Sequence, residues 1–550
     1  MNALVPLPVL LPLCATGLSL AFGTRLKRLQ RLISVVVLGA VLGLSITLMI
    51  AADIRGPLTV HLGDFAPPLG ITLVADRLSG LMLTVSSAVT LCVLVYSLGQ
   101  GMADREEETP VAVFHPAYLI LVAGVSCTFL AGDLVNLYVG FEIMLVASFV
   151  LLTLGGTGPR IRAGSTYVII SLFSSMLFLT AIAMTYAATG TANFAQLAGR
   201  LAQLPLGVQT LIQAMLLTVF AVKAAVFPLA AWLPDSYPTA PAPVTAVFAG
   251  LLTKVGVYCM LRTETLLFPG NRLGDLLMAA ALASMVVGIL GAVAQTDLKR
   301  LLSFTLVSHI GYMVFGIGLA TRDAYSGAIV YVAHHITVQT TLFLVAGLIE
   351  RRGGTTELTR IGGLAKAAPL LAVLFFVPAM NLAGIPPLSG FIGKLGLMRA
   401  GVADGSAWAW ILVTGSALAS LLTLYVVAKV WNLAFWRAAP PGQAATGTVL
   451  ESDSDEDDDA DEGPDQIPGT GDEPVRPRHQ PAGRAVAATL HGHAVTTTTM
   501  LPRPMTGATA AAVALGLAFT VFAGPLTSYT DRAAAELIAR TPYVQAVLGR

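Results

Sequence analysis

Apolar stretches of 18 or more residues recur along nearly the whole of this 550-residue chain, and that repetition constrains its fold more than any other feature. A helix satisfies its own backbone hydrogen bonds, and about 20 apolar residues in a helix cross a ~30 Å hydrocarbon layer. Transmembrane β-barrels alternate apolar and polar residues, and these runs do not. Only 11% of residues are charged, against roughly 25% in soluble domains. The expected fold is an all-α polytopic membrane protein. Fourteen spans are expected, near 4–22, 32–52, 73–98, 114–131, 133–154, 164–189, 208–233, 241–262, 274–295, 301–320, 325–349, 369–400, 406–437 and 507–527. The run from Leu4 to Phe22 lacks a basic leader and a small-residue cleavage site, so it reads as a first membrane helix rather than a signal peptide. Cys14, Cys92, Cys127 and Cys259 all fall inside apolar runs without metal or disulfide spacing and read as packing residues.

Orientation follows from the placement of basic residues in short loops. The first loop, GTRLKRLQR, carries Arg25, Lys27, Arg28 and Arg31 and is expected in the cytoplasm. Alternation puts Arg160, Arg162, Lys299, Arg300, Arg351, Arg352, Arg360 and Lys366 on the same side, and an even number of spans leaves both termini outside. Asp133, Asp297, Lys299 and Arg300 read as interfacial anchors. Residues 438–505 depart from the pattern, with twelve acidic residues between Glu451 and Glu473 among scattered Pro and Gly. Such a run repels itself and has no apolar face to bury, so a disordered cytoplasmic insertion is expected. Without it the chain holds 28 basic against 19 acidic residues, so the near-neutral total of +1 hides a basic remainder.

Two segments echo one another: PLAAW at 228–232, shortly after Lys223, and PLSGF at 387–391, shortly before Lys394. Each lies in a span interrupted by proline, at Pro228 and at Pro386 and Pro387. The two spans are five apart, and an odd offset means that the copies cross the membrane in opposite directions. Paired broken helices of an inverted repeat mark a transport site.

Ionisable groups near the bilayer midplane cost at least ~2.5–3.5 kcal/mol each. This chain nevertheless places Glu142, Lys223, Lys254, His309, the pair His334 and His335, and Lys394 in spans 5, 7, 8, 10, 11 and 12. One such residue can be a polar bridge between helices. Six spans carrying them exceed what packing alone offsets, and intramembrane acid–base series carry protons in transporters. A Glu142–Lys223 pair would keep the lysine protonated until the pair separates and the proton moves on. Histidine titrates near neutrality and passes protons through its two ring nitrogens. The prolines break the helical ladder and free carbonyls where water can enter. No P-loop, dinucleotide fingerprint, haem or iron–sulfur spacing, or catalytic triad occurs, so neither a cofactor nor an enzymatic centre is expected, and no nucleic-acid partner. The residues leave the metal question open: no Na+ site can be assigned from them.

With these residues in view, the chain resembles the antiporter-like membrane subunits shared by respiratory complex I, membrane hydrogenases and Mrp-type multisubunit cation/proton antiporters. The resemblance covers about residues 70–437 and rests on KAAVFPLAAWLPDSYPTAPAPVTAVFAGLLTKVGVY, DLKRLLSFTLVSHIGYM and NLAGIPPLSGFIGK. Two stretches, NLYVGFEIMLVASFVLLTLGGT and LAGIPPLSGFIGKLGLM, are most similar to the D-type subunit of Mrp antiporters. The resemblance implies fourteen helices with two inverted five-helix repeats, spans 4–8 and 9–13. It divides the chain into 1–110 (three helices), 111–263 and 272–437 (the repeats), the insertion 438–505, and 506–550 (last helix and tail). It implies that Glu142 and Lys223 form the coupling pair, Lys254 the central relay, His309 and His335 further relay positions, and Lys394 the terminal lysine. It further implies Na+/H+ exchange driven by the proton motive force in a prokaryotic cell membrane, with A, B, C, E, F and G type membrane proteins of the same assembly as partners. Gln339 stands where some D-type relatives carry a lysine, which leaves that part of the relay to the histidines. The alternative is a proton-pumping antiporter-like subunit of complex I or a membrane hydrogenase. A third reading is a scaffold with no ion path.

Overall fold

The computed structural model describes residues 1–22, 26–100, 111–438 and 501–549. The expected acidic run from Glu451 to Glu473 lies outside the described residues, as does Arg25 of the first loop.

The chain runs through α1 (Leu7–Phe22), α2 (Lys27–Arg55), a hairpin of β1 (Leu58–His61) and β2 (Thr72–Ala75), and α3 (Arg77–Gln100). Then come α4 (Val111–Leu130), α5 (Leu134–Thr153), α6 (Gly158–Thr189), short α7 (Phe194–Arg200), α8 (Leu206–Ala224), α9 (Trp232–Ser236), α10 (Ala242–Val247) and α11 (Thr253–Arg262). The second half holds α12 (Gly274–Ala294), α13 (Leu298–Leu319), α14 (Arg322–Gly353), α15 (Leu364–Ala367), α16 (Pro369–Ala383), α17 (Ser389–Asp404) and α18 (Ala407–Val430). Last are α19 (Arg503–Val521), α20 (Ala523–Ala539) and α21 (Thr541–Leu548). Among the described residues, thirteen helical segments are long and apolar enough to cross a membrane. The remaining expected span, the twelfth, is the broken pair α16 and α17.

Three boundaries differ from expectation. Residues 72–75 are strand, paired antiparallel with residues 58–61, instead of the start of the third span. Asp76 Oδ1 accepts the Ser79 amide at 2.9 Å and so caps α3 at that point. The eighth span does not stop at residue 262, because a π-helical turn at Thr263–Leu267 carries it one turn further. After α19 the chain is no loose tail: α20 packs on α3 and α14, and α21 on α7. Glu536 of α20 pairs with Arg77, and Arg532 holds Asp53 at 2.7 Å.

The core is built around α14, buried along most of its length and packed by α3, α10, α13, α16, α17, α19 and α20. The expected anchors become helix caps and ion pairs. Asp133 accepts the Asn136 amide at 2.7 Å to cap α5, and Asp297 accepts the Arg300 amide at 2.8 Å to cap α13. Each capping residue also forms an isolated antiparallel bridge, Asp133 with Asn193 and Asp297 with Glu357. Lys299 pairs with Glu350 at 2.7 Å and Arg300 with Asp235 at 3.0 Å.

Candidate functional site

Both expected helix breaks are present. α8 ends on Ala225 in the left-handed region (φ 58°), and Pro228 lies in the irregular segment before α9. α16 ends on Gly384 (φ 84°), a conformation that suits glycine, and Pro386 and Pro387 separate it from α17. Lys223 occupies the last turn of α8. Behind it α8 lies so close to α11 that a Cβ on Gly256 would sit 2.6 Å from the Ala224 amide.

The expected Glu142–Lys223 ion pair is not made in this structure. A Ser175 hydroxyl of α6 donates to the Glu142 carboxylate instead. Lys223 Nζ donates to the Tyr167 hydroxyl at 3.4 Å, and Tyr167 Oη and Ser148 Oγ are 2.7 Å apart. Each member of the expected pair has thus been taken by a hydroxyl on a neighbouring helix. The two still line one cavity of about 20 Å³ together with Ser171, Ser174 and Ser175. That volume holds about one water molecule.

From there the buried groups lead towards α17. Lys254 is fully buried, two residues past the π-helical turn Phe248–Leu252, and its ammonium donates to Ala249 O at 2.6 Å. The wide turn supplies that carbonyl, as π-bulges at functional sites do. His335 is fully buried, and neither ring nitrogen has a hydrogen-bond partner among the described residues. Its ring centroid lies 5.2 Å from that of His309. His309 Nδ1 is 2.6 Å from Tyr331 Oη and its Nε2 is 3.5 Å from Thr423 Oγ1. His334 Nδ1 is 3.0 Å from Ser389 Oγ, while its Nε2 has no partner. Tyr331 lies between the two histidine sites, with ring centroids 5.5 Å from His334 and 6.1 Å from His309. Lys394 donates to Leu382 O at 3.1 Å and Ala383 O at 3.0 Å, the carbonyls freed at the end of α16, and lies 5.1 Å over the Tyr312 ring. Gln339 donates to Leu302 O at 2.8 Å and leaves its own carbonyl oxygen unpartnered.

The geometry therefore gathers His309, His334, His335 and Lys394 into one aromatic-lined cluster, and sets Glu142 and Lys223 at a second locus. Sequence reasoning missed the hydroxyls of Tyr167, Ser148, Ser175 and Tyr331, because a tyrosine or serine in a membrane helix carries no signal until its neighbours are known. It also missed Glu264, which it left in a loop by ending the span at residue 262, five residues before its end at Leu267.

A bundle of membrane-length helices holding buried lysines and histidines, two of the lysines beside backbone breaks, has the architecture of an ion transporter. The chain belongs to the NADH:quinone oxidoreductase/Mrp antiporter transmembrane family, whose model matches residues 131–420. It is 43% identical over 440 residues to the D-type subunit of the Na+/H+ antiporter of Alkalihalophilus pseudofirmus, covering 79% of this chain and 87% of that protein. It is 36% identical over 439 residues to the corresponding Na+/H+ antiporter protein of Bacillus subtilis, with the same coverage of 79% and 87%. The fold superposes on a chain of the Mrp complex of a Dietzia species with a TM-score of 0.84 at 30% identity, over 100% of this chain and 99% of that one.

Proposed function

We propose that this chain is the D-type membrane subunit of a multisubunit monovalent cation/proton antiporter. In this reading it works in a prokaryotic cell membrane beside A, B, C, E, F and G type partners and exchanges H+ for Na+ on the proton motive force. The observation that carries the reading is the buried cluster of His309, His334, His335 and Lys394, in which three imidazole nitrogens have no partner among the described residues. A buried nitrogen without a partner forfeits about 1–3 kcal/mol of hydrogen bonding, a state that suits groups exchanging protons with transient water.

Protons enter at the Glu142–Lys223 locus. When Lys223 leaves Tyr167 it meets Glu142 across the single-water cavity and takes up a proton. When it swings back to Tyr167, away from the carboxylate, the ammonium gives that proton up towards Lys254, and the neutral amine left behind accepts from the hydroxyl. His335, His309 and His334 then connect Lys254 to Lys394, where the carbonyls of the second break receive the ammonium. The spans around 111–267 and 272–437 act as two inverted halves. The matching caps at Asp133 and Asp297 support this pairing, because each forms its β-bridge to a residue the same distance along the chain. In this reading the odd offset of the spans puts these caps on opposite faces, and the basic short loops with an even span count argue for both termini outside and the acidic insertion in the cytoplasm.

The test is Na+-dependent proton flux in everted vesicles from an antiporter-deficient host carrying the whole assembly, wild type or Lys223→Ala at matched levels. Flux that the substitution abolishes agrees with the reading. Equal flux in both removes Lys223 from the path. Proton pumping driven by NADH, with no Na+ dependence, would assign the chain to a redox-driven pump.

A further inference from the structure

Glu264 lies in the π-helical turn that ends the eighth span and is buried. Gln213 Nε2 of α8 donates to both its carboxylate oxygens, at 2.9 and 3.0 Å. Among the described residues no lysine, arginine or histidine forms an ion pair with it. The charged groups on the elements around it are engaged elsewhere. Arg200 of α7 donates to Thr189 O, Arg540 after α20 donates to Ala198 O, and Arg272 donates to Gln209 Oε1. On α20, Glu536 is paired with Arg77 and Arg532 with Asp53, while Asp531 accepts from Ser326. The titratable group of α14 that feels its charge is Tyr325.

A buried carboxylate without a counter-charge stays ionised only at high cost, so it binds a cation or a proton. A route for either exists. Gln213 is fully buried, its carbonyl oxygen has no partner among the described residues, and it lines a cavity of about 210 Å³ bounded also by Ala198, Ala202, Gln209, Arg272 and Arg540. At ~30 Å³ per water this cavity holds several molecules. The ligand is a proton rather than Na+: one carboxylate that already accepts from the Gln213 amide offers too few oxygens to replace the hydration shell of a metal cation, while a proton needs a single oxygen.

We propose that Glu264, addressed through Gln213 from this cavity, is a second proton-loading site for the Lys254 segment, beside the Glu142–Lys223 locus. Lys254 lies ten residues earlier in the same span, about 15 Å along a helix axis. When Gln213, which lines the cavity, turns its amide away from the carboxylate, a hydronium from the cavity gives its proton to Glu264, leaving water and a carboxylic acid. The acid then releases that proton towards Lys254 and returns to the carboxylate. This rests on Lys254 being part of the relay.

The experiment compares Glu264→Gln, Glu264→Asp, Ala202→Trp and Lys223→Ala with wild type in the intact assembly. It measures Na+-driven proton flux against pH, the KM for Na+, and the carboxylic C=O band in infrared difference spectra. Glu264→Gln keeps the volume and the Gln213 contact, and should lower flux by roughly 10²-fold, the lower end of what a positioned proton-transfer group contributes. It should also remove a titrating carboxylic band that Glu264→Asp retains, with the KM for Na+ unchanged. Ala202→Trp fills the cavity without touching Glu264 and should lower flux in the same sense. Unchanged flux and pH profile in Glu264→Gln would overturn the proposal, as would a raised KM for Na+ at unchanged turnover. Lys223→Ala separates the two failures: if it exchanges normally the relay reading itself is wrong, and if it is inactive while Glu264→Gln is normal only the loading site is wrong.

Discussion

Replacing Lys254 by methionine should make the protein more stable while it abolishes exchange. The side chain is fully buried and its one hydrogen bond, 2.6 Å to Ala249 O, stays within its own span. It therefore bridges no pair of helices. Removing the ammonium relieves about 2.5–3.5 kcal/mol of membrane burial. Losing the charge-assisted hydrogen bond costs about 1.5–3 kcal/mol, and methionine fills similar volume without opening a cavity. The difference favours Lys254→Met by about 1 kcal/mol, or roughly fivefold in the ratio of folded to unfolded protein. Detergent-titrated unfolding of the purified assembly measures the stability, and vesicle proton flux measures the exchange. A lysine retained for proton transport is a group whose removal stabilises and inactivates together. If Lys254→Met instead lowers stability by about 1 kcal/mol or more, or exchanges at the wild-type rate, the side chain has a structural role and the reasoning fails.

Tyr167→Phe should leave assembly intact and slow exchange about fivefold, the kinetic equivalent of one hydrogen bond of about 1 kcal/mol. Ser148→Ala should act in the same direction but less, since Ser148 reaches Lys223 only through Tyr167; vesicle flux at matched protein levels checks both. Away from the relay, Asp76 and Arg262 form a buried ion pair at 2.6 Å, and Arg262 also lies over the Tyr258 and Tyr543 rings. Asp76→Ala strands that guanidinium and should cost about 3–5 kcal/mol, whereas the double change Asp76→Leu with Arg262→Met should cost far less; thermal melts of the four-member cycle measure the coupling. Burial pushes the Asp76 carboxyl up, but Arg262 and Ser79 outweigh it and hold it below the usual carboxylate range. Its folded value lies below its unfolded one, so its contribution is present at neutral pH and lost as pH falls below about 4. The double variant should lack that acid-sensitive component in melts run down the pH scale.

Much of the fold was legible along the chain because apolar run length answers directly to membrane thickness, and a proline inside such a run announces a break. The membrane-length helices, the breaks near Pro228 and Pro386, and the burial of Lys223, Lys254, His309, His335 and Lys394 within helices all rest on that one-dimensional physics. Boundaries that depend on other contacts did not follow. The strand at Thr72–Ala75 forms because Leu58–His61 is present to pair with it, and the C-terminal helices exist as packed elements because α3, α14 and α7 receive them.

What only the tertiary structure decided is who holds whom. The sequence by itself determined that buried charges exist, since residue type and hydropathy are local properties. It could not determine that Ser175 takes Glu142, that Tyr167 takes Lys223, or that Gln213 takes Glu264. A hydrogen bond spans about 3 Å, while its partners here stand from 33 to 56 residues apart in the chain. Only the packing of α5, α6, α8 and α11 brings them within that reach.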